Sequence, residues 1–514
     1  MNWQKIGVLV AFLLVLGVPL TFKPRAERVP ADVPRVVIIT PHNEQIRHEF
    51  SVAFREWHEA QYGSPAAIEW ISIGGTSEIR KMLESMFVKA LASGQLRPDA
   101  NAPGVREDGL DTSVGSMAYD LMFGGGSYDH SVLSRPIEAT GPGGETVAIT
   151  ISRPMDFEQS QLDAWFGDNV IGSGVLYDPD QYWIGTALSS FGIVYNRDVL
   201  AKLEVPAPNS WSGMLDPRLA GWVALADPRQ SGSVTTTYDS ILSNYGWERG
   251  WRMLREMSAN TRYFSNSSSK VPLDVSRGEA AMGVAIDFYG RYQSQAVRRP
   301  GEAPDESRVG YIDPAGAVYI DADPVSMLRG GPSPDLARRF VEFTLTEKAQ
   351  SLWQFPVAAG VADLGPERFE LRRMPSRRVM YEKYGDRFVD DLDPFNKAMT
   401  ASTGRWRSAI SPMMSAFSID IHHDQAAAWR ALNDARGRVS DETMAEMERL
   451  FYAMPTHVTP DGERLLFDEA NYDAIRADWK RAQREGAWDE IRIAYTKFFR
   501  DNYRKIVRLS EQAS

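Results

Sequence analysis

The sequence predicts an α/β fold built on a parallel sheet, passing into a mainly helical C-terminal region. Three observations lead there. From Arg35 to Phe87, short strand-like runs ending in turn residues alternate with apolar residues at helical spacing. Further apolar runs of strand length recur as far as Ile286. Beyond about residue 335 such runs give way to segments dense in Arg, Trp, Met and Ala. At 514 residues the chain exceeds one folding unit of about 150 residues.

Composition narrows the function classes. Apolar residues at 43 % and charged residues at 24 % are the values of an ordinary soluble globular protein. The 57 basic and 68 acidic residues leave a net charge of −11, and no dense basic run stands out. Nucleic acid is therefore excluded as a partner. The chain has no cysteine, which excludes disulfides, thiolate zinc sites, iron–sulfur ligation and cysteine nucleophiles. It also removes the acylated cysteine of a lipoprotein.

The elements follow in order. Lys5 and the amino terminus precede an unbroken apolar stretch from Ile6 to Leu20, the pattern of an export signal. The stretch falls short of the roughly 20 residues that span a bilayer. No small-x-small cleavage site follows at Thr21-Phe22-Lys23-Pro24. Residues 1–30 are thus read as a signal peptide or N-terminal membrane anchor, with both fates open. Arg35 to Thr40 reads as a buried parallel strand, and Phe50, Phe54 and Trp57 mark the helix after it. Ala67 to Ile73 is a second strand, followed by a helix carrying Ile79, Met82, Leu83, Met86 and Phe87. Residues 92–116 lack periodicity and read as a surface insertion. Tyr119 to Phe123, Gly192 to Tyr195, Trp222 to Ala226 and Ala281 to Ile286 complete the strands. Strand–helix alternation implies a parallel sheet whose ligands sit beyond the carboxyl ends of the strands.

Three loops fall at those ends. Gly74-Gly75-Thr76-Ser77 opens a helix, Ser231-Gly232-Ser233 follows a strand and turn, and Gly124-Gly125-Gly126 leaves a strand without side chains to block approach. Helix N-termini present unpaired N–H groups and a positive dipole end, so small hydroxyl residues there suit an anion. Ser and Thr also simply cap helices. Ala285-Ile286-Asp287-Phe288-Tyr289 places a carboxylate and a phenol after a strand, and Asn266 sits in a serine-rich loop. Oxygen donors of this kind suit cations and polyhydroxylated solutes, although Asp287 also fits a helix cap.

Enzyme signatures are poor. His422-His423-Asp424 puts adjacent histidines on different sides of an element, which fits a surface or capping role better than a metal site. Neither His48-Glu49 nor His58-Glu59 extends to His-Glu-x-x-His. There is no nucleophile elbow, P-loop or dinucleotide fingerprint, and only 7 histidines. The pattern is that of a protein that holds a ligand and is not an enzyme.

Three stretches carry a resemblance. These are Gly185-Thr-Ala-Leu-Ser-Ser-Phe-Gly-Ile-Val-Tyr-Asn-Arg-Asp-Val-Leu200, Trp211 to Asp227-Pro228 with Ser231-Gly-Ser233, and Gly278-Glu279-Ala280 ahead of Ile286-Asp287. Together they resemble the extracellular (periplasmic) solute-binding proteins of ABC importers, in the ferric-iron and anionic-solute branch. The resemblance covers about residues 35–360. It implies a two-lobed periplasmic binding protein of class II type, with lobe one at 33–123 and 318–360 and lobe two at 124–317. Residues 361–514 form a helical C-terminal extension beyond the family length.

In that branch a Ser-Gly-small loop, here Ser231 to Ser233, holds an anion. Two tyrosines clamp ferric iron near what is Phe288-Tyr289, and an upstream histidine matches His42. Only Tyr289 is retained as a metal ligand, so a phosphorylated or carboxylated solute fits better than iron as the transported ligand. The expected ligand-binding residues are therefore His42, Asn43, Thr76, Ser77, Gly125, Ser231, Gly232, Ser233, Asn266, Asp287 and Tyr289. The resemblance implies no resident cofactor, a monomer working by hinge closure with a permease and an ATPase, and a periplasmic or extracytoplasmic location, tethered through 6–20 if the anchor is retained. The alternatives are an envelope hydrolase of sugars or phosphoesters and a tethered sensor derived from a binding protein.

Overall fold

The computed structural model describes residues 33–512, apart from 97, 100–110, 113, 145, 300, 303–305, 358, 359, 362, 400, 402 and 403. The expected signal or anchor at 1–30 and most of the expected insertion at 92–116 lie outside the described residues. Among the described residues no helix is long and apolar enough to cross a membrane.

The alternation read from the sequence is present. Strand β1 (Arg35–Ile39) leads to helix α1 (Glu44–Tyr62), β2 (Ala67–Ile71) to α2 (Thr76–Ala92), and β3 (Leu121–Phe123) to the short α3 (Ser127–Leu133). The long β4 (Ile184–Asn196) follows, then β5 (Val223–Ala226), α4 (Gly232–Ala259, broken at Gly246), β6 (Thr261–Ser265) and α5 (Lys270–Arg277). Next come β7 (Met282–Ile286), α6 (Asp287–Ala296), β8 (Val309–Ile312), β9 (Ile320–Leu328) and α7 (Pro334–Thr344). A two-residue strand, β10 (Met374–Pro375), precedes α8 (Arg407–Phe417), α9 (His422–Asp434), α10 (Asp441–Tyr452), α11 (Tyr472–Glu485) and α12 (Trp488–Gln512).

The main sheet runs in the order β6-β5-β7-β4-β9-β3-β1-β2. Its two ends are parallel: β1 pairs with β2 and β3, and β5 with β6 and β7. Between them β4 and β9 run antiparallel to each other and to their outer neighbours. Each parallel end therefore has its own helical cover, and β4 and β9 are common to both.

Strand β4 shows how one segment serves two lobes. All 13 residues of Ile184–Asn196 are buried, a run of about 43 Å at 3.3 Å per residue. Ile184, Ala187 and Leu188 pack into one core with β1, α1 and α7, whereas Ile193, Val194 and Tyr195 pack into another with β5, α4 and β7. Gly192 lies between them. A Cβ there would meet the Ile312 carbonyl oxygen at 2.1 Å and the Tyr311 hydroxyl at 2.6 Å, so the approach of β8 requires glycine.

The cores divide the chain differently from the expected boundaries. Leu133, Ile149, Met155, Phe166 and Trp183 pack with the first lobe, so most of 124–183 belongs there and not to lobe two. Residues 361–514 are not a separate appendage either. Leu371 and Met374 enter the first core, and Met374 pairs with Leu188 of β4. Trp406, Met413, Trp429, Phe451, Trp479 and Tyr503 enter the second core beside Trp247 and Trp251. The apolar faces of these late helices are large, and the second lobe is where they are removed from water.

Glu49 shows how the late chain is fastened. Its carboxylate, 1 % exposed, accepts hydrogen bonds from the backbone N–H groups of Glu367, Arg368 and Phe369 at 2.7–2.9 Å. This clamps the segment leading to β10 onto α1. Glu49→Ala leaves those donors without their acceptor, so it should lower stability by about 2 kcal/mol. Denaturant unfolding of the variant measures this, and a loss indistinguishable from zero would show that the segment is held by other contacts.

Candidate functional site

A cleft of about 430 Å³ opens between the lobes at the carboxyl ends of the parallel strands. Its walls come from the turns after β1, β2, β3 and β5, the start of α6, the middle of β4 and β9, and two late residues, Arg373 and Arg407. The volume lies within the range of about 300–1,000 Å³ typical of small-molecule sites.

Most expected ligand residues converge here. His42, Asn43, Thr76, Gly125, Ser231, Gly232, Ser233, Asn266 and Tyr289 all line the cleft. Two do not. Ser77 sits at the lip, where its Oγ is 3.1 Å from the position of a Cβ on Gly232. Asp287 is fully buried behind the wall, bonded to Arg291 at 2.8 Å, and burial pushes its pKa up to about 6. As the first residue of α6 it turns inward to Arg291, one helical turn on, instead of toward the cleft.

Two other side chains are already engaged. Asn43 caps α1 by accepting from the Ile46 N–H at 3.0 Å, and Ser231 caps α4 by accepting from the Val234 N–H at 3.3 Å. His422, outside the cleft, bonds the Thr261 carbonyl at 2.7 Å.

The turn after β3 explains its glycines. Gly124 and Gly125 have φ of +95° and +108°, and a Cβ would strike the His42 ring at 2.4 Å and the Thr76 side chain at 2.3 Å respectively. Bare backbone lets β3 end against both neighbours.

At the N-terminus of α4 the N–H groups of Gly232 and Ser233 have no partner among the described residues. Arg407 lies beside them. Its guanidinium donates to the Gly232 carbonyl at 3.2 Å and to Thr236 Oγ1 at 3.0 Å, and stacks over Tyr128 of the opposite lobe at 4.6 Å. No carboxylate pairs with it among the described residues. A cation at the positive end of a helix dipole is unfavourably placed unless an anion sits between them. The facing N-terminus of α2 is covered by its own Glu78, which accepts from the Gly75 N–H at 3.2 Å.

Deeper in, Arg373 is 4 % exposed and pairs with Asp323. It also donates to Ser189 Oγ at 2.5 Å and contacts His42 Nε2 at 2.9 Å. Burial lowers its pKa to about 10, which leaves it charged at neutral pH. Burial and the adjacent Arg373 hold His42 well below its ordinary value, so the imidazole is neutral. Arg373 Nε and His42 Nδ1 remain buried without a partner.

Sequence reasoning missed Arg373, Arg407, Asp321, Asp323 and Ser189. The two aspartates had a signal, because Ile320-Asp-Ala-Asp-Pro324 sets carboxylates two apart in a strand otherwise apolar enough to be buried. Ser189 is the cross-strand partner of Asp321. The arginines had none, since each lies far along the chain from the turns it joins.

Residues 168–362 match the family of bacterial extracellular solute-binding proteins. Over that stretch the chain is similar to this family. A protein of Haemophilus influenzae is 28 % identical over 202 residues, which is 38 % of this chain and 55 % of that one. The phosphoglycerate transport regulatory protein PgtC of Salmonella typhimurium is 24 % identical over 278 residues, 53 % of this chain and 62 % of the relative. The chain thus spans little more than half the length of these curated relatives. Among solved structures, the periplasmic binding protein AfuA of Actinobacillus pleuropneumoniae, with fructose-6-phosphate bound, aligns at 15 % identity with a TM-score of 0.47, covering 74 % of this chain and 98 % of that one.

Asp321 in the cleft carries a stability cost that can be measured. It is buried in the cleft wall, its Oδ2 accepts from the Ser127 N–H at 3.2 Å, and burial, only partly offset by Ser127 and by the Arg407 charge, raises its pKa from 3.8 to about 6. A carboxyl raised on folding disfavours the native state once it must ionise. The penalty is present above about pH 6, amounts to about 3 kcal/mol, and vanishes below about pH 4, where both states are protonated. Asp321→Asn should therefore stabilise the protein at pH 8 and have little effect at pH 4. Thermal unfolding at both pH values decides it, and equal effects at the two would overturn the assignment.

Proposed function

We propose that this protein captures a small anionic solute, phosphorylated or carboxylated, in the interlobe cleft and delivers it to the permease of an ABC importer. The observation that carries the reading is Arg407, a guanidinium with no carboxylate at ion-pair distance among the described residues, set against the N–H groups of Gly232 and Ser233. Phosphate monoesters are the first solutes to test, given the name of the Salmonella relative.

Ferric iron fits this cleft less well. Phe288 supplies no donor beside Tyr289, and burial holds the Tyr289 phenol above its ordinary pKa, outweighing the opposite effect of Arg373. Among the described residues no three of His, Asp and Glu gather as metal ligands. Iron would enter more readily as an anionic complex, with its charge reversed.

Closure fits the same picture. A Cβ on Gly232 would lie 3.1 Å from Ser77 Oγ and 3.4 Å from Asp129 Oδ2, so the lips of the two lobes already touch. A solute bound to both walls favours this closed state over an open one and shifts the population toward it. Export through residues 6–20, retained or removed, would place the protein outside the cytoplasm, where such capture is useful.

Isothermal titration with phosphate monoesters and small carboxylates tests the reading. Arg407→Gln and Ser233→Asp should each weaken the binding solute by about 10–100-fold, the worth of one charge-assisted contact. Unchanged affinity in both variants would remove the anion site from this cleft.

A further inference from the structure

Arg372 and Arg373 are consecutive but serve different parts of the molecule. Arg372 lies in the left-handed region at φ +57°, where residues other than glycine are uncommon, and the two side chains part there. Arg373 enters the cleft; Arg372 turns away from it toward α6. Within the first lobe both oxygens of Asp390 hold the Arg372 guanidinium. Toward the second lobe its Nη1 donates to the Arg291 carbonyl at 3.1 Å and to Gln295 Oε1 at 2.9 Å. The Gln295 amide in turn donates from Nε2 to Glu370 Oε2 at 2.6 Å. One side chain of α6 is thus held from both ends of its amide by two residues of the first lobe.

Both sides of this contact are firmly mounted. Glu370 and Arg372 lie between the amides of 367–369, clamped by Glu49, and Met374, paired with Leu188 of β4. On α6, Arg291 is bonded to Asp287 and to Asp313, each at 2.8 Å. None of Arg291, Gln295, Glu370 and Arg372 lines the cleft, yet α6 begins with Phe288 and Tyr289, which do. We propose that Gln295, gripped by Arg372 and Glu370, is an interlobe latch that sets the ease of cleft opening without touching the solute. Turning α6 away from the first lobe lengthens three bonds at once, and an N–H···O bond is lost by about 3.5 Å. The latch therefore favours the lobe orientation seen here, and affinity for any solute rises with the fraction of molecules that already adopt it. This inference does not rest on the anion reading.

The test needs no solute. The chain has no cysteine, so Lys81→Cys on α2 and Lys202→Cys on the helix Arg197–Lys202 of the second lobe, both exposed, carry a single pair of nitroxide labels. Pulsed dipolar EPR on the full chain then reads the separation of the lobes. Gln295→Ala in this background should raise the ratio of molecules outside the parent's main separation to those at it by about tenfold, the worth of two interlobe hydrogen bonds. Glu370→Gln keeps an acceptor for the Gln295 amide and should match the parent. Thermal unfolding followed alongside separates opening from loss of the fold, and should Gln295→Ala unfold, Glu370→Ala removes the same grip from the other lobe. A folded variant whose separations are unchanged or shorter overturns the latch. So does a Glu370→Gln distribution as broad as that of Gln295→Ala, since the amide bond would then not be what holds the lobes.

Discussion

The buried pair between Arg373 and Asp323 is the interaction on which the rest of the site depends. Neither group is exposed by more than 5 %, and a buried ion that loses its partner is far more costly than one that keeps it. The pair therefore dictates its surroundings. It holds the segment before β10 against β9, fixes the Gly125 amide through the second oxygen of Asp323, and adds a neighbouring cation to the burial that keeps His42 neutral. Phe288 lies 4.4 Å under the guanidinium and Trp353 5.6 Å from it, so the charge is enclosed by aromatic rings as well as by its counter-ion.

This arrangement gives the late part of the chain a role that its helical composition did not suggest. One stretch adds β10 to the first lobe and inserts Arg373 into the cleft; the next crosses to the second lobe, where the Gly404 N–H donates to Asp239 of α4 at 2.7 Å and Arg407 reaches the start of the same helix. Arg372, beside Arg373, donates to the Arg291 carbonyl at 3.1 Å and pairs with Asp390, joining the first lobe to α6 of the second. The cleft is thus completed from both sides by residues that lie beyond the core of the two lobes. A solute that bridges these groups acts on three connections between the lobes, not only on β4 and β9.

Much of the fold was legible. The run Arg35-Val-Val-Ile-Ile39, its helix with Phe50 and Phe54, and the turns at Gly74 to Ser77 and Ser231 to Ser233 stand where hydrophobic spacing and turn chemistry put them, because these are local preferences that the lobes reinforce. The lobe boundaries were less so. Whether Leu133 or Trp183 joins the first core or the second depends on which face of the sheet is uncovered, and that is a property of packing, not of either residue. Asp287 illustrates the same limit in the site: its place after a strand was visible, but the rotation of α6 toward Arg291 was not.

By itself, then, the amino-acid order determined the repeating strand and helix units, the glycine and hydroxyl turns at the strand ends, and the absence of thiol chemistry. These follow from periodicity and residue type over a few neighbours. The tertiary structure alone decided that Arg373 and Arg407 enter the cleft, that Asp287 turns away from it, and that Ser231 and Asn43 act as caps. Each of those outcomes depends on groups brought together across long separations in the chain, for which no local pattern of side chains carries the information.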